Sequence, residues 1–174
     1  MSAACRSFAL IVSVLALSVS TARSETIVDD AGRYTVDIAQ PTTRSTTESA
    51  AATGKITNYV LLHDNVTTAE IVQYSDFAAG TLAGKDLAKL YDGAAQGGAA
   101  NIHGVIRSLV VYQLGDVAGR EMLVDFTANE SKGVCRCRFY IVGDRLYALI
   151  YVGPAGSEND VDVLHFLNSF RLLR

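Results

Sequence analysis

Apolar and polar residues alternate over much of this chain, and an alternation of period two marks strands. Arg33 to Ala39 opens the series, with Tyr34, Val36 and Ile38 on one face, and Gln40-Pro41 stops it. Thr42 to Thr53 carries Thr, Ser and Ala with few large apolar groups and reads as a surface connection. Lys55 to His63 and Thr68 to Asp76 resemble two more strands, with Asp64-Asn65 as turn material between them. From Lys85 to Gln96 the period changes. Leu87, Leu90, Tyr91 and Ala94 fall at i, i+3, i+4 and i+7, an amphipathic helix that Gly97-Gly98 is expected to end. Two hairpins follow. Val105 to Leu114 meets Val117 to Thr127 at Gly115-Asp116, and Val134 to Val142 meets Arg145 to Val152 at Gly143-Asp144. Pro154 and Gly156 break the chain. Ser157 is then placed to cap a last helix, with Asp160 at the reciprocal position and Val163, Phe166, Leu167 and Phe170 as its apolar stripe.

The order β-β-β-α-β-β-β-β-α, dominated by hairpins, predicts an α+β fold: an antiparallel sheet of about six to seven strands with helices packed on it.

The first 22 residues change the setting. Arg6 supplies a positive start, Phe8 to Val19 an apolar run, and Ser20-Thr21-Ala22 small residues at a cleavage site, the pattern of a secretory signal peptide. The run is short for a bilayer span, which takes about 20 residues. A mature chain of 23–174 forming one domain, with no integral membrane segment and an extracytoplasmic (periplasmic or secreted) location, is expected. The chain carries 15 Lys and Arg against 18 Asp and Glu, a net charge of −3, and losing Arg6 with the leader makes it −4. An acidic balance argues against nucleic acid as a partner.

Within the mature chain, five segments resemble a group of small secreted α/β/α-sandwich domains. They are Gly32 to Ile38, Lys89 to Ala94, Ala118 to Glu121, Gly143 to Tyr147 and Phe166 to Phe170. That group is similar to the photosystem II extrinsic PsbP protein and to the Ran-binding nuclear-import protein of the same fold. The resemblance implies a PsbP-like α/β/α sandwich that acts as a binding or assembly-accessory domain. It implies no shared catalytic residue, so none is carried over.

Two constellations carry candidate chemistry. Cys135 and Cys137 lie at i and i+2 of one strand and share a face with Phe139, Ile141, Leu146, Ala148, Ile150 and Val152. That face is apolar, so two buried core thiols are the plainest reading. A redox pair, or a weak soft-metal site with Met122 as a thioether, are the alternatives. On the opposite face, Arg136, Arg138 and Tyr140 stand beside Tyr147, Leu149 and Tyr151. Such a ladder offers a ligand-binding surface, unless Glu121 and Asp125 on the preceding strand neutralise the arginines. His63, His103 and His165 are scattered and read as isolated residues. The glycine-rich stretch Gly93 to Gly104 follows a helix, where a phosphate loop would precede one. Asp29-Asp30 and Glu158 to Asp160 lack the ligand spacing of a calcium loop. Asn65-Val66-Thr67 and Asn129-Glu130-Ser131 match the glycosylation sequon.

No dedicated metal site and no cofactor are expected. The reading that results is a non-catalytic domain that binds an unknown protein or small ligand across a sheet face or its rim. An enzyme with a thiol-based site at Cys135/Cys137 is the alternative.

Overall fold

The computed structural model describes residues 23–51 and 54–173; the expected leader, Met1 to Ala22, lies outside the described residues. Strands β1 (Ser24–Asp29), β2 (Tyr34–Ala39) and the short β10 (Arg171–Leu172) form a small sheet with β2 in the middle. Strands β3 (Thr43–Ala51), β4 (Gly54–Asp64), β5 (Ala69–Asp76), β6 (Val105–Leu114), β7 (Val117–Ala128), β8 (Ser131–Val142) and β9 (Arg145–Pro154) form a seven-stranded sheet. Its order is β3-β4-β5-β9-β8-β7-β6, and every pairing in it is antiparallel. Helix α1 (Leu87–Asn101) covers one face of this sheet. Helix α2 (Val161–Ser169) and the small sheet cover the other. The α+β class follows, with two apolar cores on either side of the large sheet.

Five expectations are revised. Thr42 to Thr53 is not a loop: β3 occupies most of it and pairs with β4 from Thr43↔Leu62 to Ala51↔Gly54. A β-branched, polar strand suits a sheet edge, where one side has no partner to bury against. Arg33 to Ala39 belongs to the small sheet, so seven strands do share one sheet, but β3 stands where β2 was expected. The helix does not stop at Gly97-Gly98. It runs on to Asn101, because Ala95 and Ala99 are buried against the sheet and hold the last turns in place. It begins at Leu87 rather than Lys85, with Asp86 as the N-cap, whose carboxylate accepts from the amides of Ala88 and Lys89. Asp160 is the N-cap of α2, while Ser157 opens a separate 3-10 turn (Ser157–Asn159) and donates its hydroxyl to Pro154 O at 2.7 Å.

The hairpins at Gly115 and Gly143 form as the sequence predicts, with Leu114↔Val117 and Val142↔Arg145 as closing pairs and both glycines at positive φ. The second hairpin sets the register that places the candidate residues.

Candidate functional site

On the face under α2, that register builds three rows across the large sheet. Tyr59, Tyr74, Tyr147 and Tyr140 form the first and end at Gly119. A Cβ on Gly119 would lie 2.2 Å from Phe139 O and 2.6 Å from the Tyr140 ring. Glycine is therefore what lets the ring lie flat there. Leu61, Val72, Leu149, Arg138 and Glu121 form the second row, and His63, Glu70, Tyr151, Arg136 and Leu123 the third.

The arginine–tyrosine ladder expected to face a ligand is therefore interior. Arg138, Tyr140, Tyr147 and Tyr151 are each 3% exposed or less, and the Arg136 side chain 12%. The cause is the apolar stripe of α2 together with Tyr34, Val36 and Ile38 of β2, which close over this face. Glu121 accepts from Arg136 Nη2 at 2.8 Å and from Arg138 Nε at 2.7 Å. Arg138 also donates to Leu167 O at 2.7 Å and stacks 3.9 Å from the centre of the Tyr112 ring. Asp125 pairs with Arg107 instead, which also reaches Glu158. Tyr140 stacks on Phe170, and the Tyr147 hydroxyl donates to Gly32 O at 2.8 Å. These contacts tie the helix and the small sheet to the large one.

Cys135 and Cys137 lie on the other face, beneath α1, and are free and buried. Cys137 stands directly opposite Met122. Burial pushes the Cys135 thiol up to about 11 and holds Cys137 well above its ordinary value. Both are thus neutral thiols at neutral pH, the opposite of what a nucleophile or a soft-metal ligand needs. Among the described residues, no three His, Cys, Asp or Glu side chains converge at metal-binding distance.

The third row ends differently. Where α2 begins and the small sheet diverges from β4 and β5, a cleft of about 350 Å³ opens over it. Its titratable lining is His63, Glu70, Tyr151, Asp160, Asp162 and His165, and Phe166 lines it as well. His63 and Glu70 are cross-strand partners, and Glu70 pairs with Tyr151 in turn. The four-residue connection Asn65 to Thr68 sets this register, because Asn65 Oδ1 accepts the amides of Thr67 and Thr68, both at 2.9 Å. His63 is 5% exposed, and its Nδ1 donates to Pro41 O at 2.9 Å. A carbonyl oxygen only accepts, so Nδ1 carries a proton, and in the neutral ring Nε2 is a bare lone pair. Among the described residues, Nε2 has no partner.

Glu70 accepts from the Ala39 amide at 2.9 Å through one oxygen. Burial is the main influence on its carboxyl and raises it, with Asp162 adding to the rise and the Ala39 amide, His63 and His165 opposing it. Asp160 makes no side-chain bond to the helix it caps and is exposed at the rim of the cleft. Asp162 sits in the first turn of α2, where the helix dipole favours negative charge. His165 Nε2 lies 3.1 Å from Asp37. The result is a partly enclosed pocket lined by the half-buried Glu70, by exposed Asp160 and Asp162 at its rim, and by a ring nitrogen that accepts when the ring is neutral.

Of the arginine–tyrosine ladder, Tyr151 alone lines this cleft, its hydroxyl 2.8 Å from Ser157 Oγ, and Asp160, read in the sequence as part of a short acidic run, lines it too. His63 and His165 looked isolated, and Glu70 was not singled out at all. The signal lay in the turn chemistry at Asn65, which fixes which residue faces which across the hairpin.

No family model and no curated protein match this chain. Among solved structures it is similar to a Bacteroides thetaiotaomicron protein at 9% identity and a TM-score of 0.43, covering 82% of this chain and 46% of that one. The chain thus spans about half the length of that relative. It is also similar to a Pseudomonas aeruginosa protein of unknown function at 6% identity and a TM-score of 0.39, covering 78% of this chain and 85% of that one. Likeness at this level carries no functional argument.

Proposed function

We propose that this chain is an extracytoplasmic, non-catalytic binding domain of the PsbP-like kind, and that it recognises its ligand in the rim cleft over His63 and Glu70. The observation that carries the reading is His63: a buried ring, fixed by Pro41, whose second nitrogen has no partner among the described residues and which lines a cleft beside a half-buried carboxylate. Polar groups left unpaired next to a concavity are how ligand sites are built, and perturbed carboxylates gather there. Support for the fold comes from the seven-stranded antiparallel sheet with one helix on each face. Support for the location comes from the leader-like pattern before Arg23. The protonated, buried thiols weigh against a cysteine enzyme.

The test is native mass spectrometry of the protein recovered from the extracytoplasmic fraction of its own host. A non-covalent adduct on the wild type that is lost in His63→Phe supports the reading. An adduct retained by a folded His63→Phe variant contradicts it. Peptide sequencing of the same sample tests the location: a first residue at or near Arg23 agrees with export, and an exported form beginning at Met1 does not.

A further inference from the structure

We infer that the cleft takes its ligand by a protonated amine, seating a primary ammonium group at His63 Nε2 and the Glu70 carboxylate, with the exposed carboxylates of Asp160 and Asp162 adding negative charge at the rim. This rests on the binding reading above and adds the chemistry of the ligand. Three observations point the same way. First, the fixed ring nitrogen is an acceptor in the neutral ring, so a ligand must bring a donor to it. Second, the cleft is lined by three carboxylates and, among the described residues, by no lysine or arginine. Arg136, the nearest guanidinium in the third row, is already committed to Glu121, Asn159 and the Glu158 carbonyl.

Third, the acceptors come from separate elements and line one cleft, with His63 and Glu70 as cross-strand partners. His63 comes from β4, Glu70 from β5, and Asp160 and Asp162 from the start of α2. An ammonium group carries three donors, enough to serve the imidazole nitrogen and the Glu70 carboxylate together. The volume, about 350 Å³, suits a small amine or one extended side chain rather than a folded partner. The cost of burying Glu70 is consistent with a carboxylate kept for an incoming cation: its carboxyl is raised mainly by burial, and the Ala39 amide serves only one of its oxygens. His165 is turned to Asp37, which leaves His63 as the ring available to a ligand.

The chemistry is shared by two sources, a free amine and a lysine side chain, and the test separates them. The exported protein is titrated calorimetrically at pH 8 with 1,4-diaminobutane, with Nα-acetyl-lysine methylamide, with 1,4-butanediol as the neutral counterpart, and with zinc ion. One-to-one binding of an amine is expected, weakened at least tenfold in Glu70→Gln and in His63→Phe, with no binding of butanediol. Preference for the diamine marks a free amine as the source, and preference for the lysine derivative marks a side chain. Asp162→Asn, on an exposed position, serves should either core variant fail to fold, and a several-fold loss is expected there too. Amine binding indifferent to these variants, binding of butanediol as tight as the diamine, zinc binding in place of amine binding, or no amine binding overturns the inference. If His63-dependent binding of butanediol remains, the ammonium chemistry fails and the cleft reading survives. If nothing binds and the exported protein carries no adduct, both fail.

Discussion

Glu121 is held between two guanidinium groups, and the consequences are specific. Burial pushes its carboxyl up, but the hydrogen bonds from Arg136 and Arg138 outweigh that and leave it below the ordinary carboxylate value. A carboxylate lowered in the folded state stabilises the fold above its unfolded pKa, and the gain is lost as pH falls through the folded value. Glu121→Gln should therefore lower stability at pH 7 by about 3–5 kcal/mol, because it strands the buried Arg138 charge. The gap should begin to narrow as pH falls below the ordinary carboxylate value, about 4, and should close only below the lowered folded value, where Glu121 too is neutral. Urea melts at several pH values measure this. Glu70 has the opposite sign. Its raised carboxyl binds protons more readily folded than unfolded, so its contribution is fullest at acid pH and falls as pH rises through the folded value. Glu70→Gln should leave the thermal midpoint at pH 7 unchanged or higher, while a purely structural glutamate would lower it. Cys135 and Cys137 make a third case. A thiol reagent should leave them unlabelled in the native protein at pH 7 and label both in denaturant, whereas rapid native labelling would revive the thiol-enzyme alternative. Replacing both by Ala should cost on the order of 1–3 kcal/mol for two small buried groups.

At the scale of elements, the alternation of apolar positions was legible almost everywhere, and so were both glycine turns. Where it misled, a tertiary contact had overridden a local signal. Thr43–Ala51 has no apolar face to betray it as a strand, since an edge strand can pair through its backbone alone. Gly97 and Gly98 are strong helix breakers in sequence, yet packing of Ala95 and Ala99 carries α1 past them. A methyl group at Gly97 would meet no atom within 4 Å. Gly97→Ala should therefore raise stability by about 0.5–1 kcal/mol, the usual helix-interior difference. A loss would mean that this turn is not helical in solution. Gly119→Ala should do the reverse and destabilise strongly, because the clashing atom at Phe139 is a backbone oxygen that cannot rotate away. Chemical denaturation of the two variants, side by side, checks both signs.

For the molecule as a whole, the arginine–tyrosine face was legible as a face but not as an interior. Its composition fits a wet surface and a satisfied inner layer equally well. Only the covering by α2 and β2, which come from opposite ends of the chain, decides between them. The rim cleft was illegible for a related reason: His63, Glu70 and the carboxylates of α2 meet only once the hairpin register and the seat of α2 are known. The account therefore places binding at the one end of the third row that the covering layer leaves open, and places structure in the rest of that face. The most direct measurement is a histidine-selective 15N spectrum at pH 8, with 1,4-diaminobutane added stepwise. A proton on Nδ1 of His63, a bare Nε2 in the free protein, and an amine-dependent shift of that Nε2 with His103 unmoved are the predicted result. A proton on Nε2 in the free protein, or a His63 signal that ignores saturating amine, would contradict it.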